Sequence, residues 1–199
     1  MKKSLRLVAI ADKWHIDRAE EEIGDALYLY DKECLEIKSD SEYPLIYVYS
    51  CLEADKAFEY IVREPPAYIE RLIPVHKVYR EFIRLTREGI LINDAMLVDI
   101  RDFVLPRCTS YCYIEVHPRN IYIVYKGLVA RRKAQKRLQN ILASMLRIRV
   151  SRKAMYSLIV EDTREGIVIA LVPRGSDRMR FWRESRIGLG ISGGETRKT

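Results

Sequence analysis

The strongest constraint on the fold is the order in which apolar runs and helical repeats follow one another over the first 77 residues. Residues 5–11 (LRLVAIA) form a short apolar run with the character of a buried strand. Ile16, Ala19, Ile23, Ala26 and Leu27 then recur at helical spacing, and Asp12 or Asp17 can cap that helix. Tyr43-Pro44 punctuates the chain before residues 45–51 (LIYVYSC), whose β-branched and aromatic content fits a strand; a weaker strand is expected near residues 34–38. Residues 54–63 read as a helix that turns Ala57, Phe58, Ile61 and Val62 inward and is ended by Pro65-Pro66, after which residues 69–75 return as strand. Strand, helix, strand, strand, helix, strand is the order of a split βαβ, ferredoxin-like unit, which assigns residues 1–77 to a first, scaffolding domain.

The second half carries a different pattern. Residues 93–104 read as a helix with Ala95, Val98, Ile100 and Phe103 apolar, stopped by Pro106. Tyr111, Tyr113, Glu115 and His117 alternate with Cys112, Ile114 and Val116, and residues 121–125 follow the turn His117-Pro118-Arg119-Asn120, which predicts a hairpin. A helix is expected next, with Ala130, Ala134, Leu138, Ile141, Met145 and Ile148 on its core face. Residues 155–160 and 167–172, joined by 162–166, predict a second, very apolar hairpin. These elements make an α/β domain over residues 78–175. From 176 to 199 the composition shifts to Arg, Gly, Ser and Thr, the expectation being a basic and partly disordered tail. Phe181 and Trp182 stand among its arginines; they either stack on unpaired RNA bases or pack a C-terminal helix onto the body.

Charge divides the chain as well. Residues 1–100 carry 14 basic and 20 acidic side chains, whereas 101–199 carry 21 and 8, so an anionic partner is met mainly by the C-terminal half. Within residues 116–160 the basic side chains are Arg119, Lys126, Arg131, Arg132, Lys133, Lys136, Arg137, Arg147, Arg149, Arg152 and Lys153, with no Asp or Glu. On a helical projection Arg132, Lys136, Gln139 and Arg147 fall opposite the core face, flanked by Lys133 and Asn140. Arg132 with Lys136, and Lys133 with Arg137, are like-charge pairs at i and i+4 that a polyanion along the helix would offset through counterion release. The competing reading is a solvated helix in a protein with a charge-rich surface.

The βαββαβ pattern, then Arg71-Leu72-Ile73-Pro74-Val75 entering a helical segment, then a strand ending in basic residues, a helix and an apolar hairpin, resembles the stand-alone THUMP proteins over residues 5 to 173. Those proteins are similar to the adaptor that presents tRNA to a cytidine acetyltransferase. The resemblance implies an α+β architecture in which a ferredoxin-like domain precedes a THUMP domain, and a protein that binds tRNA, does no chemistry itself, needs no cofactor and works with a tRNA-modifying enzyme. By resemblance the basic turn at Arg119 and the helix bearing Arg131, Arg132, Lys133, Lys136 and Arg137 face the RNA, and the one-sign charge block adds Lys126, Arg147, Arg152 and Lys153 to the expected RNA contacts. Residues 121–125 depart from the family pattern as an extra strand between the first THUMP strand and its helix. A protein-interaction module with incidental RNA affinity, its acidic half docking a basic partner, is the alternative.

Other chemistries find little support. The stretch Ile191-Ser192-Gly193-Gly194-Glu195-Thr196 is reminiscent of a pyrophosphate-binding loop, yet only three residues remain after it, where such a loop needs a helix N-terminus. Cys108, Cys112 and His117 lack a fourth ligand for a metal, and no GxGxxG or Walker sequence is present. The four cysteines do not make a secreted disulfide scaffold, although Cys34 could pair with Cys51. Three Asn and two Gln beside many Ile, Arg, Glu and Tyr lean towards a thermophile. No run of about 18 apolar residues exists to span a bilayer, and a cytoplasmic protein is expected.

Overall fold

A computed structural model describes residues 2–80, 83–86, 89–108, 111–118 and 131–190, with backbone only at 83–86, 89–92, 131–134 and 187–190. Its elements are β1 (Ser4–Ala11), α1 (Ile16–Asp31), β2 (Glu36–Ser39), β3 (Leu45–Ser50), α2 (Ala54–Arg63), β4 (Ile69–Pro74), β5 (Lys77–Tyr79), β6 (Ile83–Thr86), β7 (Gly89–Ile92), α3 (Asp94–Val104), β8 (Tyr111–His117), α4 (Arg131–Leu146), β9 (Arg149–Val150), β10 (Tyr156–Thr163), β11 (Gly166–Pro173) and α5 (Met179–Gly190). The fold is mixed α+β. Residues 1–74 and 175–199 form one compact unit and residues 75–174 the other.

The first unit has the sheet order β2-β3-β1-β4, and β1 runs antiparallel to both neighbours, which is the split βαβ topology. As the inner strand under two helices, β1 is buried from Leu7 to Ala11, which explains its unbroken apolar run. Ala19, Ile23 and Leu27 of α1 and Ala57 and Ile61 of α2 pack with Leu7, Ala9, Ile46, Val48, Ile69 and Leu72 of the sheet. Phe58 is only partly buried.

Neither expected aspartate caps α1: its N-cap is His15, without a side-chain cap, and Asp12 instead accepts from the Trp14 N–H at 2.9 Å in a local turn. Cys34 and Cys51 are joined by a disulfide across Cα atoms 5.6 Å apart, so the loop after α1 is tied to the end of β3. Asp31 reinforces that corner by accepting from the Cys51 N–H at 2.9 Å.

The C-terminal stretch corrects the expectation of a separate tail. Met179 and Trp182 of α5 join the core of the first unit, and the segment before the helix covers the free edge of β4. The Leu72 N–H donates to the Asp177 carbonyl at 2.7 Å, and the Arg71 Nε donates to the Asp177 carboxylate at 2.6 Å. Arg183 sends its guanidinium to the carbonyls of Pro66 and Ala67 at 3.1 and 2.6 Å. An arginine-rich composition reads as solvated tail, but here one of its arginines, Arg183, helps to close the fold. Residues 191–199, with the glycine-rich end, lie outside the described residues.

The second unit has the sheet order β5-β11-β10-β8-β9, with β10 parallel to β8 and antiparallel to β11, plus the β6-β7 hairpin. Cys112, Ile114 and Val116 of β8, Leu158 and Val160 of β10, and Ile167, Ile169 and Leu171 of β11 form the core with Leu97, Ile100 and Val104 of α3 and Leu138, Leu142 and Leu146 of α4. The core line of α4 thus runs through Leu138, Leu142 and Leu146, with Ile141 and Met145 only partly buried. After Val75 the chain forms strands β5 to β7 in place of the expected helical segment; each is only three or four residues long. Such short strands leave no periodic signal. Residues 121–125 lie outside the described residues. Asn93 caps α3 by accepting from the Ala95 and Met96 N–H groups at 3.1 and 3.4 Å. Cys108 and Cys112 are disulfide-bonded, linking the turn after α3 to β8.

Asp99 of α3 binds β5 through the Tyr79 hydroxyl and the Lys77 Nζ, the latter at 3.0 Å, and these two donors hold its carboxyl below the usual range. The hairpin of β10 and β11 is tighter than expected, for Thr163 pairs directly with Gly166. Gly166 has φ 124°, and a Cβ there would sit 2.9 Å from the Tyr79 carbonyl oxygen. We expect Gly166→Ala to destabilise the protein by about 1–3 kcal/mol, read as a lower urea midpoint at unchanged slope.

Candidate nucleic-acid interface

The parallel pairing of β8 with β10 gives the second unit's sheet two chemically distinct ends. At the end where both strands begin, Tyr111 pairs with Arg149 and Tyr113 with Ser157, while β11 arrives antiparallel with Pro173 opposite Tyr156. At the far end His117 pairs with Glu161, and Glu115, Glu161 and Asp162 are buried. The three buried carboxylates therefore lie toward the far end of the strands, where Arg164 of the β10–β11 turn is also exposed.

Four features position the basic end. Ser151 donates its N–H to the Cys112 carbonyl at 3.1 Å and accepts from the Lys153 N–H at 3.1 Å, so a pinned turn presents Arg152 and Lys153, both exposed. Arg149 on β9 is exposed beside Tyr111, which is 53% exposed. Arg174 lies over the Tyr113 ring at 4.8 Å, with small Ser157 on the strand between. A guanidinium held on an aromatic face keeps its outer side available to a base or a phosphate.

The fourth feature is the end of α4. Arg147 has φ 55°, its N–H donates to the Ser144 carbonyl at 3.1 Å, and the Ile148 N–H donates to the Ala143 carbonyl at 3.0 Å. This is a Schellman closure, in which the left-handed residue is usually glycine. An arginine there costs about 1 kcal/mol of backbone strain, partly offset by a cation at the negative pole of the helix. Arg147→Gly should therefore raise stability slightly and, if an RNA lies against this end of the sheet, weaken its binding several-fold. Thermal melts beside an RNA titration would read these opposite signs, and a variant that loses both would contradict the assignment.

Of the residues expected at the interface, Lys136, Arg137, Arg147, Arg152 and Lys153 are exposed. Arg131, Arg132 and Lys133 belong to the first turn of α4, where only the backbone is described, and Arg119 and Lys126 lie outside the described residues. Gln139 is not on the outer face: its Nε2 donates to the Ile114 carbonyl at 2.7 Å, so it faces β8. Arg149, Arg174, Tyr111 and Tyr113 complete the basic end and are not among the expected RNA contacts. Arg149 already stands in the one-sign block of residues 116–160; for the other three, alternation along β8 and the position of Arg174 just after a strand are the sequence signals.

Other centres are weaker. A cleft of about 870 Å³ on the first unit is lined by charges of both signs, among them Glu22, Asp25, Arg63 and Arg186. Asp31, Cys34 and Cys51 have ligand atoms within 4.8 Å of one another, but the two sulfurs are bonded to each other. Among the described residues no helix is long and apolar enough to cross a membrane.

No protein-family model matches the chain, and no curated protein matches it significantly. Solved structures of similar fold include PH1313 from Pyrococcus horikoshii Ot3, 11% identical with a TM-score of 0.52, the match covering 87% of this chain and 58% of that one. A 4-thiouridine synthetase solved in complex with RNA and ATP is 12% identical with a TM-score of 0.44, over 87% of this chain and 44% of that one. TrmN from Thermus thermophilus is 11% identical with a TM-score of 0.47, over 84% and 45%. The chain spans about half the length of these proteins, and its likeness to PH1313 is one of fold.

Proposed function

We propose that this chain binds structured RNA, with tRNA as its target, through the basic end of its second unit and presents it to a modifying enzyme without doing chemistry itself. The observation that carries the reading is the grouping of Arg149, Arg152, Lys153 and Arg174 with Tyr111 and Tyr113 at one end of one sheet, away from Glu115, Glu161 and Asp162. Cations of that density neutralise phosphates, and the tyrosines add sequence-tolerant stacking. Shape and backbone charge, rather than base-edge readout, would then set the preference.

The adaptor half of the reading also needs a protein-facing surface. The acidic helix α1 and its surroundings supply one: Trp14 is 83% exposed and Leu29 86% exposed, with Glu21 and Asp25 also on the surface. Large exposed apolar side chains beside acids suit a partner that is apolar and basic.

The test is a gel-shift titration against tRNA, an unmodified tRNA transcript and a plain duplex of equal length, at low and high salt. Preference for tRNA with a steep salt dependence supports the reading. Equal, weak binding to all three overturns it and leaves the interaction-module alternative.

A further inference from the structure

The α5 helix divides its two aromatic side chains between inside and outside. Trp182 turns inward, its Nε1 donating to the Ser176 carbonyl at 2.6 Å and its ring meeting Phe58 edge-on at 6.1 Å. Phe181 turns outward and is 49% exposed, with its ring held edge-on against Trp182 at 5.3 Å. The helix beneath it is held firmly by the Arg183 fork on the carbonyls of Pro66 and Ala67 and by the buried Arg71–Asp177 pair. Phe181 thus contributes little to the docking of α5 yet is presented on a preorganised support.

Its surroundings are cationic. Arg178, the residue just before α5, is exposed, and its carbonyl accepts from the Phe181 N–H at 3.0 Å, so it stands at the same end of the helix as the ring. Arg180 is exposed too, but Glu184 binds it at 2.6 Å, which leaves Arg178 as the cation best placed beside the ring. A flat aromatic surface next to an arginine fits a nucleobase and its phosphate, because every base offers a π-face and carries a backbone charge beside it. An apolar protein partner would gain nothing from the flanking guanidinium.

We propose that the outer face of α5 is a stacking platform on which one unpaired nucleobase of a bound RNA rests on Phe181, with Arg178 neutralising the adjoining phosphate. This site rests on the RNA-binding reading above but involves none of the residues that carry it.

The experiment uses the full chain, fluorescence anisotropy and two probes: a blunt RNA hairpin, and the same hairpin with a short unpaired extension. Wild type should bind the extended probe more tightly. Phe181→Ala should lose roughly 5- to 100-fold on the extended probe and little on the blunt one. Phe181→Trp should keep the affinity, and the fluorescence it adds over wild type should be quenched by the extended probe alone. Because the ring is half exposed, both variants should melt close to wild type. Equal affinities of Phe181→Ala and wild type for the extended probe, or an unquenched Phe181→Trp, would overturn the platform while leaving RNA binding at the basic end intact. Failure of wild type to bind either probe would overturn both.

Discussion

Replacing Asp177 by Ala should lower the unfolding free energy by about 3–5 kcal/mol, the effect of breaking a buried ion pair by removing one partner. The Asp177 side chain has 0% exposure and that of Arg71 13%, with 2.6 Å between Nε and carboxylate. Deleting the carboxylate leaves the guanidinium in a site that water reaches poorly, and desolvation of that charge is what makes the change large. The backbone bond from Leu72 to the Asp177 carbonyl survives, so the segment should loosen rather than lose its place. Urea unfolding followed by tryptophan fluorescence reads this well, since Trp182 donates to Ser176, the neighbour of Asp177. Replacing Arg71 and Asp177 together by leucine should cost much less than Asp177→Ala alone. A single-variant loss under about 1 kcal/mol would mean that the pair does not hold the C-terminal segment.

The largest functional effect is expected from Arg152→Glu combined with Lys153→Glu. Both side chains project from the turn that Ser151 pins to β8, and both are exposed, so the fold should not notice the change. Two charged interactions with phosphate at about 1.5 kcal/mol each give a loss of affinity for tRNA on the order of 100-fold at low salt. The slope of log affinity against log salt should fall by about 2, one for each phosphate that is no longer neutralised. The slope is the sharper readout, because a partial unfolding would lower the amplitude without changing it in this stoichiometric way. An unchanged slope with unchanged affinity would move the interface elsewhere on the chain.

The first unit was legible because its strands are apolar runs and its helices repeat at about 3.6 residues; the helix over Ala54–Arg63 falls where the spacing and Pro65-Pro66 put it. The second unit was legible only in its longer elements. β5, β6, β7 and β9 have two to four residues each and are defined by partners far along the chain. A helical projection puts Gln139 on the wrong side of α4 because Leu138, Leu142 and Leu146 rotate the core line relative to Leu138, Ile141 and Met145. At the proposed interface, net charge singles out residues 116–160, whereas the tyrosines and Arg174 join the basic end only through strand register. The C-terminal arginines mislead for the opposite reason: composition cannot distinguish a guanidinium bound to carbonyls, as in Arg183, from one in water.

The chain leaves the first unit at Pro74 and returns to it at Gly175. Asp177 follows its partner Arg71 by 106 positions. During synthesis at about 5–20 residues per second, β4 therefore waits roughly 5–20 s with its outer edge open before its own cover is made. An open edge accepts any strand or segment that fits it. On a polysome, the segment that fits best and is nearest at hand is the same stretch from an older copy, so crowded translation would favour reciprocal exchange of residues 175–186 between two chains.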